Sequence, residues 1–221
     1  MGGIGTVLTL LSGVAWTVVY AEAIRIGFTQ RTYAIPAAAL MLNIAWEWLY
    51  AFLDLTGTPG VQGYVNLVWA VADVAIVVTF FRFGYVEFSD RIGRGVFIVG
   101  GVGLLGVSVA VQLLFLGEFG RSNGEVYSAF LQNLLMSGLF VAMFLSRHGA
   151  RGQSMVIAAA KWLGTLAPTI QLGLLQGRGF VLGIGLLCTV LDLTYIGLLL
   201  HAHRHPGTEA GRAVLSSSAE A

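Results

Sequence analysis

Charged residues are scarce in this sequence, at 10% of 221 residues, whereas 57% are hydrophobic. A soluble domain needs far more charge to cover its surface, so the composition indicates an integral membrane protein. The single cysteine, Cys188, excludes an internal disulfide. The net charge of +1 gives no reason to expect nucleic acid as a partner. We expect no metal site, because the only dense ligand run, HAHRH at 201–205, is better explained as a solvated helix end.

Long apolar runs dominate the rest of the chain, and a span needs about 20 such residues. The predicted fold is therefore all-α, a seven-transmembrane helix bundle in a single domain over residues 1–203. A short polar cytoplasmic tail, expected to be disordered, follows at 204–221. The predicted spans are 4–24, 34–54, 64–82, 95–116, 126–146, 154–176 and 180–201.

The distribution of basic residues predicts the orientation of the bundle. With the N-terminus outside, nine arginines fall in the inner segments and only two, Arg121 and Arg178, in the outer ones. We therefore expect the C-terminus to be cytoplasmic. The only lysine, Lys161, falls inside the sixth span.

Four ionisable residues lie well inside predicted spans, where charge is costly and is usually functional. Asp73, Lys161 and Asp192 each lie nine residues from the inner end of their span, at a depth of roughly 13 Å. We expect Asp73 and Lys161 to form a buried ion pair. Glu47 lies further out, at a depth of roughly 20 Å, with no cation at its own level. It is expected to be a neutral acid, because burial disfavours the ionised form.

Helical spacing predicts a shared polar and aromatic cavity. In the second span, Asn43, Trp46, Glu47 and Tyr50 follow one face, which must point into the bundle because lipid would reject it. Similar combinations recur in the third, sixth and seventh spans. The candidate cavity residues are Asn43, Trp46, Tyr50, Trp69, Asp73, Lys161, Trp162 and Tyr195, with Glu47 and Asp192 as acids.

A carbocation cascade needs this mixture of groups. A neutral buried carboxylic acid can protonate an alkene or epoxide. Aromatic faces stabilise migrating positive charge, and an apolar wall excludes water. A proton-conducting pathway requires similar residues, so the pattern by itself leaves both possibilities open.

The motif NIAWEWLY at 43–50, together with LDLTYI at 191–196, resembles membrane-bound terpene cyclases over essentially the whole chain. This family includes fungal meroterpenoid and indole-diterpene cyclases and bacterial enzymes that make drimane-type indole sesquiterpenoids. The resemblance implies an enzyme that protonates the terminal alkene or epoxide of a prenylated, farnesyl-type substrate and closes rings, ending with deprotonation. Its essential acids would be Glu47 and Asp192.

The resemblance also implies that no metal or other cofactor is needed, and the sequence contains neither a DxDD motif nor the aspartate-rich motifs of soluble terpene synthases. The expected partners are a prenylated aromatic or indole substrate, the lipid bilayer and an upstream prenyltransferase. The expected location is a membrane crossed several times, the cell membrane if the source is bacterial.

Two other functions have weaker support in the sequence. A proton-coupled small-molecule transporter would divide the spans into three, one and three, but the second spans of the two halves show little likeness. A retinal protein normally carries its Schiff-base lysine in the last span, where this chain has Asp192. The sequence therefore favours the enzyme and keeps the transporter as its main alternative.

Overall fold

The computed structural model describes residues 3–57, 60–147 and 151–204, and within them the regular structure is entirely helical. A 3₁₀ turn, Gly84–Glu87, follows the third helix, and a π-helix, Thr169–Leu175, follows the fifth. The helices are α1 Gly3–Thr29, α2 Ala37–Thr56, α3 Val61–Phe83, α4 Arg94–Ser146, α5 Met155–Pro168 and α6 Gly179–Arg204. The predicted tail lies outside the described residues, except for Arg204.

Each of these six helices, with α3 and α5 extended by the short helix that follows, is long and apolar enough to cross a membrane. In α2, and in α5 together with the π-helix that follows it, at least half of the residues in the apolar stretch are buried inside the protein. In α1 only 17% of them are buried. The second helix is therefore central, and α1 is peripheral. This arrangement agrees with the prediction of a protein that crosses the membrane several times.

The 53-residue helix α4 is not one straight rod. Gly120 has φ 68° and ψ 176°, a conformation that is accessible essentially only to glycine. A Cβ on Gly124 would lie 2.7 Å from the carbonyl oxygen of Phe115, and Gln112 Nε2 donates to Gln132 Oε1 at 2.9 Å. Twenty residues of straight helix would separate the two glutamines by roughly 30 Å, so the helix folds back on itself.

This fold-back replaces the loop that the sequence predicted between the spans 95–116 and 126–146. The structure continues helix on both sides of Gly120, so two helical segments meet there within α4, and the count of six helices among the described residues treats them as one. The sequence GEFGRSNGE indicates a loop by composition, but one residue with a left-handed φ is enough to reverse the chain.

The fifth helix changes character at Pro168. Proline cannot donate a backbone hydrogen bond, and the segment that follows it winds as a π-helix. The π-helix packs closely on α6, since a Cβ on Gly173 would lie 2.8 Å from the backbone of Leu182. This winding carries Gln171 toward the interior of the bundle, where it is buried.

Two ion pairs lie near helix ends. Glu22 and Arg25, three residues apart on α1, pair at 2.6 Å. Asp54, near the end of α2, pairs with Arg121, directly after the fold-back. The second pair holds the C-terminal end of α2 against α4.

Candidate active site

A cavity of about 670 Å³ lies between α1, α2, α3, the second half of α4, α5 and the π-helix. Most of its wall is apolar, and α6 contributes no residue to the lining in the part of the chain that the structure describes. The aromatic and polar residues that line it include Trp16, Tyr20, Asn43, Trp46, Glu47, Trp69, Glu125, Gln132, Asn133, Thr165 and Gln171.

Glu47 lies in the wall of this cavity and is 3% exposed. Its Oε1 accepts a hydrogen bond from Tyr20 Oη at 2.8 Å. Its Oε2 is buried and has no hydrogen-bond partner among residues 3–57, 60–147 and 151–204. The carboxyl group therefore has one oxygen occupied by a donor and one oxygen unpaired.

A chain of hydrogen bonds leads to Glu47 from the fold-back of α4. Gln112 Nε2 donates to Gln132 Oε1, and Gln132 Nε2 donates to Asn43 Oδ1 at 3.4 Å. Asn43 Nδ2 donates to Tyr20 Oη at 2.6 Å, so the hydroxyl proton of Tyr20 is available for Glu47. All four bonds run in the same sense. Glu47 Oε1 is the final acceptor, and a proton carried by this carboxyl belongs on Oε2.

Asp73 lies behind this chain and does not line the cavity. Its Oδ2 accepts from Asn43 Nδ2 at 2.9 Å, while its Oδ1 has no hydrogen-bond partner within the described ranges. Asn43 thus joins the two buried carboxyl groups, since it donates to Asp73 directly and to Glu47 through Tyr20. Asp73 is therefore connected to Glu47 through hydrogen bonds but does not contact the cavity.

The predicted ion pair of Asp73 with Lys161 is wrong. Lys161 Nζ donates to both oxygens of Asp192, at 2.8 and 3.0 Å, and to Ser137 Oγ at 2.7 Å. The two residues share a depth but lie on helices with different packing partners. Lys161 is on α5, which packs against α1 and α6, whereas Asp73 is on α3, which packs against α1 and α2. The lysine consequently joins α5 to α6 and α4.

Asp192 is held in this ion pair, is 2% exposed and does not line the cavity. Its partner Lys161 is equally buried. Among the described residues, no hydrogen bond joins Asp192 to Glu47: Asp192 bonds to Lys161, and Glu47 bonds to Tyr20.

Four of the predicted residues, Asn43, Trp46, Glu47 and Trp69, meet in the cavity wall. Tyr195 lies elsewhere and stacks on Phe140 at 5.2 Å between ring centroids. The predicted residues outside the cavity lining are Tyr50, Asp73, Lys161, Trp162, Asp192 and Tyr195. The prediction that these residues line the cavity was wrong. Depth in the membrane and position on a helix face do not identify the neighbouring helix that the face contacts.

The contribution of α1 to the cavity was not predicted from the sequence. Trp16 and Tyr20 line the cavity, and Tyr20 stacks on Trp69 with 5.8 Å between ring centroids. A pattern was available, because Thr9, Ser12, Trp16 and Tyr20 follow one face of the first span. Glu125 also lines the cavity, whereas the predicted span began one residue after it. The Trp46 indole donates to the carbonyl oxygen of Glu125 at 3.1 Å.

The fold and site together define a membrane-embedded helical protein with a buried carboxyl group in an aromatic cavity. The family model for Pyr4-like transmembrane terpene cyclases matches residues 2–174. The chain therefore belongs to this family, as its motifs predicted. Membership does not favour the transporter alternative.

Curated relatives are similar along much of the chain. "Pyr4-family terpene cyclase mfmH" of Annulohypoxylon moriforme is 27% identical over 163 residues, covering 72% of this chain and 66% of the relative. "Terpene cyclase macJ" of Penicillium terrestre is 29% identical, covering 72% and 62%. "Terpene cyclase pyr4" of Aspergillus fumigatus is 24% identical, covering 92% and 89%. The chain thus spans just under two thirds of the first two relatives.

These relatives are fungal, which does not support the expected location in a bacterial cell membrane. No solved structure matches this chain.

Proposed function

We propose that this protein is a membrane terpene cyclase that protonates the terminal alkene, or epoxide, of a prenylated, farnesyl-type substrate and closes rings through carbocations. The observation that carries the proposal is Glu47 in the wall of an aromatic cavity, with a hydrogen-bond donor on one oxygen and, among the described residues, none on the other. No Lys or Arg side chain of the described residues forms an ion pair with Glu47. Such a carboxyl is suited to hold a proton and to transfer it to an apolar substrate.

In the first step, the proton on Glu47 Oε2 passes to the terminal alkene carbon, and the π electrons form the new C–H bond. A tertiary carbocation remains on the substrate, and Glu47 becomes a carboxylate. Tyr20 stabilises that carboxylate, because its hydroxyl already donates to Oε1 and the bond strengthens as negative charge develops. The hydrogen-bond chain behind Tyr20 keeps this donor in place.

In the following steps, each remaining alkene attacks the cation and moves the charge along the folded chain. The faces of Trp46 and Trp69 line the space in which this occurs and stabilise the cation through their quadrupoles. Loss of a proton from the final cation forms an alkene and restores the acid form of Glu47. The proton gained and the proton lost balance, so the net reaction on an alkene substrate is an isomerisation.

Asp192 has a positioning role in this proposal. Its ion pair with Lys161, together with Ser137, ties α6, α5 and α4 together beside the cavity. Thr165, one turn along α5 from Lys161, lines the cavity wall. We propose that Asp192 maintains this wall instead of exchanging a proton with Glu47.

The proposed topology has seven crossings, with the N-terminus outside and the C-terminus cytoplasmic. The fold-back at Gly120 divides α4 into two helical segments, each of which contains one of the predicted spans 95–116 and 126–146, and this supports the proposal. The distribution of arginines supports the orientation. In this topology the cavity lies toward the outer half of the bundle.

The proposed substrate is an aromatic or indole compound that already bears its prenyl chain, supplied by a prenyltransferase. Such a substrate has no diphosphate to ionise, so the proposed chemistry needs no metal ion. Membranes that contain the protein should convert a farnesylated indole to a cyclised isomer of the same mass, detected by chromatography with mass spectrometry. Movement of the compound across proteoliposomes without any covalent product would overturn the proposal.

A further inference from the structure

The neighbouring helices α1 and α3 touch at one end and separate toward the other. Near their C-terminal ends, a Cβ on Gly27 would lie 2.7 Å from Thr79 Cγ2, so the backbone of α1 packs closely on this side chain of α3. Further along, the Trp69 indole bridges the gap and donates to Thr17 Oγ1 at 3.2 Å. Both contacts join residues 52 positions apart, so the helices run parallel in a constant register.

The same register brings Gly13 opposite Val65, nearer the N-terminal ends, and both residues line the cavity. Gly13 is roughly 21 Å along the helix from Gly27, and a Cβ built on it meets nothing within 4 Å. A close helix contact at Gly27 and open space at Gly13 mean that the two helices diverge toward this end.

Apolar side chains at this end of α1 and α3 are exposed at the protein surface and also line the cavity. Leu10 and Val14 of α1 are each 63% exposed, and Val61 of α3 is 81% exposed, yet all three line the cavity. An enclosed cavity would not be lined by side chains that are mostly exposed. We call the gap bounded by Leu10, Val14, Val61 and Val65 the lateral opening; its apolar side chains suit the hydrocarbon of a bilayer.

The opposite side of α1 is held closed. Ser12 Oγ donates to the carbonyl oxygen of Gly164 at 2.8 Å, and Thr9 Oγ1 donates to Gln171 Oε1 at 3.0 Å. Trp16 packs on Gly164, where a Cβ would lie 2.9 Å from the indole. Hydrogen bonds therefore join α1 to α5 and to the π-helix along the cavity. Between α1 and α3, the described residues show one side-chain hydrogen bond, from Trp69 to Thr17.

We propose that the lateral opening between α1 and α3 is the entrance through which the isoprenoid chain of the substrate passes from the bilayer into the cavity. An apolar chain that enters there meets Trp69, which stacks on Tyr20, and Tyr20 donates to Glu47. The opening thus leads to the acid through aromatic side chains. This inference rests on the proposed cyclase function for the identity of the ligand.

Gly13 allows a direct test, because a Cβ at this position meets nothing within 4 Å. In the series Gly13→Ala, Gly13→Leu and Gly13→Trp, kcat/KM for the prenylated substrate should fall with side-chain size. The Trp variant should lose about tenfold or more, comparable to an overpacking clash, with an unchanged product. Gly106→Trp is the matched control, since Gly106 also has open space but lies outside the cavity lining.

A labelling experiment tests the entrance without relying on turnover. Ala129, which lines the cavity, is replaced by Cys in a Cys188→Ala background, because Cys188 is the only native cysteine. A membrane-soluble maleimide, N-cyclohexylmaleimide, should label this cysteine, and Gly13→Trp should slow the labelling by about tenfold while Gly106→Trp does not.

The two experiments separate the two proposals. Labelling that slows only with Gly13→Trp, in a protein that cyclises no prenylated compound, supports the entrance and refutes the cyclase function. Cyclisation and labelling that both continue at the wild-type rate in Gly13→Trp would overturn the entrance and retain the function.

Discussion

The hydroxyl of Tyr20 donates to Oε1 of Glu47 at 2.8 Å, across the interface between α1 and α2. Both side chains are at least 97% buried. Asn43 donates to the same hydroxyl at 2.6 Å, so Tyr20 has its donor directed toward the carboxyl group. This contact fixes the orientation of the proposed acid with a residue from a different helix.

Tyr20→Phe should lower kcat by about 10- to 100-fold, the value of a hydrogen bond to a charged group, because the carboxylate loses its donor after protonation of the substrate. KM should change little, since the ring and its stacking on Trp69 are retained. Steady-state kinetics in membranes provides the test. Tyr64→Phe, an exposed position on α3, is the matched control. Wild-type kcat in Tyr20→Phe would refute this role.

Asp73→Asn should retain cyclase activity within about threefold of wild type, because an amide oxygen can replace Asp73 Oδ2 as the acceptor for Asn43. Asp73→Leu should lower activity further, since Asn43 then has an unsatisfied donor in a buried position. Comparison of the two initial rates provides the measurement. An inactive Asp73→Asn would instead identify Asp73 as a necessary source of protons for Glu47.

Removing one partner of the Lys161–Asp192 pair should lower the free energy of unfolding by about 3–5 kcal/mol, because the other charge is left buried without compensation. We expect Asp192→Leu and Lys161→Met to lower the thermal unfolding temperature in detergent. The double variant should recover most of that stability, because it buries no charge.

The double variant also separates a positioning role from a chemical one. If Asp192 maintains the cavity wall, recovery of stability should be accompanied by recovery of cyclisation. If the double variant is as stable as wild type but inactive, Asp192 takes part in proton transfer and our assignment is wrong.

Replacement of Trp69 should reveal whether its aromatic face acts on the cation. Trp69→Phe and Trp69→Leu both lose the hydrogen bond to Thr17, so the difference between them isolates the π face. We expect Trp69→Leu to form product more slowly than Trp69→Phe, by up to about 30-fold for a desolvated cation–π contact, and to release more partly cyclised products. Identical product profiles would exclude this role.

The sequence predicted the membrane class and the helix that carries the acid. Glu47 and its neighbours Asn43 and Trp46 follow one helical face, and lipid excludes polar groups, so that face had to point inward. Helical periodicity is a local property, and it was enough to place these three residues in the cavity.

Relations between helices could not be derived in the same way. Asp73, Lys161 and Asp192 share one depth, but which of them meet depends on how α3, α5 and α6 pack, and the sequence contains no direct measure of that packing. The fold-back in α4 likewise depends on the backbone angles of Gly120. Tyr20 was missed because a tyrosine in a span is ordinarily a packing residue until its partner is known.

The central claim is that Glu47 supplies the proton that starts cyclisation, and Glu47→Gln tests it most directly. The amide keeps the size of the side chain and can accept from Tyr20, but it has no acidic proton to give. Membranes with equal amounts of wild type, Glu47→Gln and Glu47→Asp should be compared for conversion of a farnesylated indole. We predict loss of cyclisation in Glu47→Gln by at least about 1000-fold and partial activity in Glu47→Asp. Full activity in Glu47→Gln would contradict the claim.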